Sequence, residues 1–411
     1  MPAIRLSVDD AIAAILAEVA PLPSVPVPLA EALGGVLAEE VVAPFALPQW
    51  TNAAMDGYAV HGDDVRGASP ERPITLPVVA HIAAGAAAPR PHARGEAMRI
   101  FTGGPVPDGA DTIIRQEDSD RGAEVVRIHG DRDLGRHVRR AGSDVAAGVV
   151  VLPRGHDIGP GEISLLAALA ITTPPVHRRP FVAIISSGDE LASLDDPTPV
   201  RAGSRLADSN TPTLAALTHL AGATPLPLGP VPDDPDALIA AIGHASSAEL
   251  LVTVGGVSVG DHDHVPAVLE RLGARLLFRR VLLRPGGPTT AARLADGRLW
   301  IALPGNPVSA MVTFTLFVRP AIRRLLGDTA PRRPTLQVTL DNDVERDAVL
   351  DLYFRASRQG ASHLVTPLLR ATGPVGSALM TTMRGAEFLV CVPAGQGVVP
   401  AGTTLEAISF P

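Results

Sequence analysis

The sequence predicts a multidomain protein of the α/β plus β class, with a parallel α/β sheet domain flanked by smaller β domains. Three observations carry this. A chain of 411 residues is long enough for two to four domains of ~100–200 residues each. It contains 39 glycines and 40 prolines without a period, which implies many turns and short strands. Between residues 181 and 327, continuous apolar runs alternate with helical stretches, the pattern of strands covered by helices on both faces.

Along the chain, Ser7 followed by Asp10 reads as a helix start. Val8, Ile12, Ile15, Leu16 and Val19 then recur at helical spacing, and Pro21-Leu22-Pro23 ends the helix. A second helix is expected from about residue 29 toward residue 40. Residues 74–80, 97–101, 111–116 and 124–129 read as short strands of a small β module. Residues 161–171 read as a helix, and Thr173-Pro174-Pro175 as a linker. In the α/β segment, strands are expected at 181–186, 249–254 and 299–303. Helices are expected at 214–221, 237–244, 265–272 and 307–326. Short strands return after Pro331-Arg332-Arg333-Pro334, as a second β module.

Composition excludes several function classes. Apolar residues make up 46%, so disorder is not the dominant state. The net charge is −8, with no basic stripe for nucleic acid. All 35 basic residues are arginine, which rules out a lysine Schiff base, a P-loop lysine or a lysine nucleophile. The single cysteine, Cys391, allows no internal disulfide and no thiolate zinc site, and its strand-like surroundings suggest a buried structural thiol. No apolar run approaches ~18 residues, so no membrane span is expected. Residues 1–7 lack the apolar core of a signal peptide, and the cytoplasm is the expected compartment.

In an open parallel sheet, ligands bind beyond the carboxyl ends of the strands. Three loops lie there: Ser186-Ser187-Gly188-Asp189-Glu190, Gly255 to Asp263, and Pro304-Gly305-Asn306-Pro307-Val308-Ser309. Each alone is compatible with an ordinary strand-to-helix turn. Together they suit a phosphate or another oxyanion. Glycines let it approach main-chain amides, and Asn306 with Pro307 caps a helix whose positive end faces it. Asp189, Glu190, Asp208, Asp233, Asp234, Asp261 and Asp263 gather in the same loops. Carboxylates beside anion-binding backbone suit a bridging hard cation, most simply Mg²⁺; for Asp234 and Asp261 a solvated loop acid is the plainer reading. Arg279, Arg280 and Arg284 stand where they could clamp an oxyanion, or merely carry surface charge.

Five motifs occur in order: Ala54-Met55-Asp56-Gly57-Tyr58-Ala59, Thr102-Gly103-Gly104-Pro105-Val106-Pro107, Gly188-Asp189-Glu190-Leu191, Gly255-Gly256-Val257-Ser258-Val259-Gly260 and Leu303-Pro304-Gly305-Asn306-Pro307-Val308-Ser309. The set resembles the MoeA family of molybdopterin molybdenumtransferases, related to the gephyrin E domain, over nearly the whole chain. The resemblance implies an elongated helical/β linker domain over residues 1–45 and 143–178, used for dimerisation. It implies an inserted β domain over 46–142, a MogA-like α/β domain that binds molybdopterin over 179–327, and a C-terminal β-barrel-like domain over 328–411. It further implies a homodimer whose active-site cleft is completed by both subunits.

The implied reaction is Mg²⁺-assisted insertion of molybdenum from molybdate into adenylylated molybdopterin, with release of AMP and formation of molybdenum cofactor. By motif, Asp56, Thr102 and Asp144 would be catalytic residues of one wall, and Glu190, Asp233 and Asp263 of the α/β domain. Glu190 and Asp263 would hold Mg²⁺. Gly255, Gly256, Ser258, Arg280, Arg284, Pro304, Asn306, Pro307, Ser309, Arg355 and Ser377 would bind substrate. The adenylyltransferase that precedes this step and the molybdoenzymes that follow it are the implied protein partners.

One departure matters. The family's Lys-Pro-Gly-Lys-Pro reads Arg284-Pro285-Gly286-Gly287-Pro288, so Gly287 removes a cation. Two alternatives stand beside insertion: the preceding adenylyl transfer, whose enzymes lack the flanking β domains, and a catalytically altered paralogue that binds or delivers the cofactor.

Overall fold

The computed structural model describes residues 4–86, 90–256, 264–358, 364–367 and 379–410, the four residues 364–367 by their backbone only. Ser258, Asp261, Asp263 and Ser377 therefore lie outside the described residues. Contacts divide the chain into two compact units. One comprises Met1–Ala38, Gly155–Gly159 and Pro174–Pro411; the other comprises Glu39–Arg154 and Pro160–Thr173.

The first unit contains a six-stranded sheet in the order Thr224–Pro227, Phe181–Ser186, Leu250–Val254, Leu299–Leu303, Thr290–Arg293, Arg275–Phe278. The first four strands run parallel; Thr290–Arg293 pairs antiparallel with Leu299–Leu303, and Arg275–Phe278 pairs antiparallel with Thr290–Arg293. Leu250–Val254 and Leu299–Leu303 are buried throughout, as apolar runs covered on both faces must be. Alternate residues serve opposite faces. Val182, Ile184, Val252 and Ile301 pack with Leu214, Val308 and Phe317. Ala183, Ile185, Leu251 and Trp300 pack with Leu238, Ile242, Val265 and Val268.

The helices are Asn210–Leu220, Pro235–His244, Val265–Arg271 and a last one beginning at Pro307. That last helix is not uniform: Pro307–Thr313 is followed by a π turn, Phe314–Val318, and then by Arg319–Leu325. Pro320 explains the interruption. It has no N–H to give the carbonyl one turn back, and the wider turn just before it absorbs the mismatch. Helix Val8–Ala17 is capped by Ser7, whose hydroxyl oxygen accepts from the Asp10 amide at 3.1 Å, and buries Val8, Ala11, Ile12 and Ile15 in the same core.

Two expectations are corrected here, and one strand was not expected. Residues 29–40 do not form a helix: a single 3₁₀ turn, Leu29–Glu31, is followed by bridges from Val36 to Asp157 and from Leu37 to Val176. Gly34 and Gly35 break the periodicity, each costing a helix about 1 kcal/mol relative to alanine. The supposed linker at 173–175 runs into a strand, Pro175–His177, paired with Ser24–Pro26. Thr224–Pro227 is also a strand despite two prolines, because it lies at the sheet edge, where missing donors cost little.

The C-terminal part of this unit is a second six-stranded sheet: Leu283–Arg284, Asp351–Arg358, Leu364–Pro367, Thr335–Leu340, Thr404–Ser409, Phe388–Val392. Asp351–Arg358 also pairs with Phe388–Val392. Phe354, Phe388, Val390 and Ala407 form its core. Cys391 lies opposite Tyr353 in that pairing, half-buried, and burial pushes its thiol up to about 11.

The second unit is built on a five-stranded sheet in the order Thr112–Arg115, Gly57–Val60, Ala97–Ile100, Ile74–Ile82, Val125–Ile128. Tyr58, Val60, Leu76, Ile114 and Val126 fill its core. Gly57 is required there: a Cβ would sit 1.9 Å from the Ile114 carbonyl oxygen. Helix Pro160–Ala168 belongs to the same unit. No described helix is long and apolar enough to cross a membrane.

Candidate active site

In the first unit, the parallel strands end in loops that meet. The Ser187 amide donates to the Val254 carbonyl at 2.9 Å, and Gly255 donates to Leu303 at 3.2 Å. Gly255 has φ +96°, and a Cβ there would stand 2.4 Å from the Ser187 carbonyl oxygen. Only glycine lets these two strand ends approach so closely. Asp208 is buried behind them. It accepts from Ser186 Oγ at 2.5 Å, from Thr211 Oγ1 at 2.6 Å and from the Thr211 amide at 3.1 Å, fixing the start of helix Asn210–Leu220. Asn210 Nδ2 donates to the Gly305 carbonyl at 2.8 Å and so anchors the third loop.

These loops enclose a cavity of about 670 Å³. Glu190, Asp233, Gly255, Gly256, Pro304, Asn306 and Pro307, all expected from the sequence, line it. Asn306 holds the extended N-cap position ahead of Pro307. Asp234, by contrast, caps its own helix, its carboxylate accepting from the Ala237 amide at 2.9 Å. Asn210, Ser209 and Met380 also line the cavity and were missed. The run Asp208-Ser209-Asn210-Thr211, rich in capping residues ahead of a helix, was the available signal for the first two.

A divalent cation fits this donor set. Among the described residues, Asp233 Oδ1 is buried without a hydrogen-bond partner, and Glu190 lines the same cavity. Mg²⁺ needs only one or two protein carboxylates when substrate phosphates and water complete its shell.

The remaining expected residues stand elsewhere. Arg280 lies in a short strand, Arg280–Val281, paired with Arg5–Leu6. Arg284 is exposed, 3.7 Å from Asp347. Ser309 is buried inside its helix. Arg355 is buried within the C-terminal sheet. One nitrogen, Nη2, donates to Thr382 Oγ1 at 2.7 Å, whereas Nε and Nη1 have no partner among the described residues. Burial lowers its pKa, so the site holds a cation short of acceptors.

In the second unit, Thr102 donates to Asp56 Oδ1 through both its amide and its hydroxyl, each at 2.7 Å. These two bonds, aided by nearby Arg99, hold the Asp56 carboxyl below the usual carboxylate range. Asp144 is exposed on a turn whose amide donates to the Leu47 carbonyl at 3.0 Å.

Two family descriptions match the chain in succession. "MoeA N-terminal region (domain I and II)" covers residues 6–170, and "Probable molybdopterin binding domain" covers residues 183–324. A molybdopterin molybdenumtransferase from Nostoc sp. is 36% identical over 92% of this chain and 87% of its own length. The chain belongs to the MoeA family. A second MoeA relative, molybdopterin molybdenumtransferase 2 of Mycobacterium tuberculosis, is 37% identical over 92% of this chain and 93% of its own. The crystal structure of a molybdopterin biosynthesis MoeA protein from Pyrococcus horikoshii superposes with a TM-score of 0.78. It is 26% identical and covers 99% of each chain. The fold is therefore MoeA-like, and all but the first two residues of the sheet spanning 181–303 fall within the molybdopterin-binding match.

Proposed function

We propose that this chain is a molybdenum insertase. It takes adenylylated molybdopterin and molybdate, breaks the phosphoanhydride bond, releases AMP and yields molybdenum cofactor. The observation that carries the reading is the cavity at the strand ends, lined together by Glu190, by Asp233 with its buried oxygen unpartnered among the described residues, and by the amide-rich loops at Gly255–Gly256 and Gly305–Pro307.

The loops grip the phosphates through main-chain N–H groups, and the helix beginning at Pro307 turns its positive end toward them. Asp233 and Glu190 would hold Mg²⁺, joined by Asp263. When bound, the ion would offset the negative charge that grows on departing AMP. The unpaired Nε and Nη1 of Arg355 suit a tetrahedral oxyanion such as molybdate, with Arg280, Arg284, Ser258, Ser309 and Ser377 contributing to substrate binding. Asp56, held ionised by Thr102, and Asp144 orient the reacting groups. The sulfur ligands of the metal come from the pterin, so a chain with one hindered thiol can do this chemistry.

The reading further proposes a cytoplasmic homodimer. It also retains the division into a linker domain (1–45 and 143–178), an inserted β domain (46–142), an α/β domain (179–327) and a C-terminal barrel-like domain (328–411). Sedimentation equilibrium tests the dimer. The deciding experiment for function is AMP release from adenylylated molybdopterin on adding molybdate and Mg²⁺. Release that depends on molybdate is expected; its absence would overturn the insertase.

A further inference from the structure

Aromatic residues are 3% of this chain. Among the described residues, three large aromatic side chains are exposed: Trp50 at 45%, Phe101 at 39% and Phe181 at 39%. Two of the three flank the Asp56–Thr102 pair. Phe101 immediately precedes Thr102, and Trp50 Nε1 points at the Gly103 carbonyl, 3.5 Å away.

Phe101 is held from behind. Strand pairing sets Tyr58 opposite Arg99. The Arg99 guanidinium lies 4.9 Å from the Tyr58 ring centroid and 5.2 Å from that of Phe101, both within cation–π range. Its Nη2 donates to Gln116 Oε1 at 2.7 Å, and the Gln116 amide donates to the Asp56 carbonyl at 3.0 Å. Tyr58 is fixed in turn by its hydroxyl, which donates to the Gly122 carbonyl at 3.0 Å. Among the described residues, Arg99 Nη1 is buried without a hydrogen-bond partner, and Arg99 forms no ion pair with a carboxylate. Its charge is met by the two rings and, through space, by the Asp56 carboxylate, whose ionised form it favours.

An exposed ring fixed from behind costs the protein solvation and returns no core packing. Beside an ionised carboxylate it suits a flat, electron-poor ring system. We propose that Phe101 and Trp50 form a stacking platform, with Arg99 as its positioning residue, for a planar heteroaromatic ring of the substrate. This rests on the insertase reading, in which the substrate carries two such rings, a pterin and an adenine.

Trp50 supplies the readout. The chain has two tryptophans, and the other, Trp300, is 1% exposed with its Nε1 bound to Thr253 Oγ1. Emission of the full chain is titrated separately with AMP, with 6-hydroxymethylpterin and with ribose 5-phosphate. The Trp50→Phe variant serves to correct for absorption. Quenching by AMP or by the pterin, but not by ribose 5-phosphate, is expected, and whichever ring quenches is the one that stacks. Phe101→Leu should weaken that binding roughly tenfold while Phe101→Tyr preserves it. In the AMP-release assay, Phe101→Leu should raise KM with kcat little changed. A thermal melt checks that the variant is folded. Equal quenching by ribose 5-phosphate, no quenching by either ring, or an unaltered Phe101→Leu would overturn the platform. A wild type that is quenched but releases no AMP would overturn the insertase reading and leave the platform standing.

Discussion

Thr102 gives both its backbone N–H and its hydroxyl to one oxygen of Asp56, each at 2.7 Å. The bonds span two strand ends and fix an acid that is otherwise open to water. Hydrogen bonds to the charged form lower a carboxyl's pKa, so in the folded protein Asp56 stays ionised to lower pH than a free aspartate.

Thr102→Val removes the hydroxyl and keeps the amide. Asp56 should then protonate at higher pH, and the acidic limb of the AMP-release profile should move upward. Thr102→Ser should leave the limb in place. The measurement is kcat/KM against pH for the three proteins.

Arg355→Met tests a buried cation with two idle nitrogens. Replacing a buried charge by an apolar side chain of similar length is often neutral or stabilising. The variant should melt at or above the wild-type temperature in buffer. It should lose the rise in melting temperature that molybdate gives the wild type. A variant that melts well below wild type would mean that Arg355 is structural.

The neighbouring glycines 286 and 287 should respond in opposite ways. Gly286 has φ +119°, and a Cβ would stand 2.3 Å from Thr313 Cγ2. Gly286→Ala should cost about 1–3 kcal/mol of stability by denaturant titration. At Gly287 a Cβ would lie 3.1 Å from the Leu283 carbonyl oxygen, tight yet short of a clash, and φ is not left-handed. Gly287→Lys should fold. By restoring one charge-assisted contact worth about 1.5–3 kcal/mol, it should tighten molybdate binding about ten- to a hundredfold.

Asp208→Ala should lower the unfolding free energy by about 1–3 kcal/mol, because it strips partners from the buried Ser186 hydroxyl and from both donors of Thr211. Asp208→Asn, which keeps an acceptor, should recover part of the loss. Urea midpoints at constant slope would check both.

The central strands were legible because burial on both faces leaves an unbroken apolar run, as in Val182 to Ile185 and Leu250 to Val254. The edge strand was not, because Pro225 and Pro227 read as turn residues until a sheet places them where no donor is needed. The lining residues Glu190, Asp233 and Asn306 were legible as loop residues after strands. The structural jobs of Asn210 and Asp208 were not, since their partners Gly305 and Ser186 are distant in the chain or on another element. Arg355 shows the same limit. A charged residue inside a strand gives no sign from sequence that both faces of that strand are covered.

Cys391 has a practical corollary. It is the sole thiol in a lysine-free chain, and at neutral pH nearly all of it stays protonated and unreactive. A cysteine introduced on an exposed loop can therefore be alkylated with a maleimide dye without first deleting the native one. The lack of lysine leaves no side-chain amine to compete for the reagent, so spectroscopic probes can be installed one position at a time.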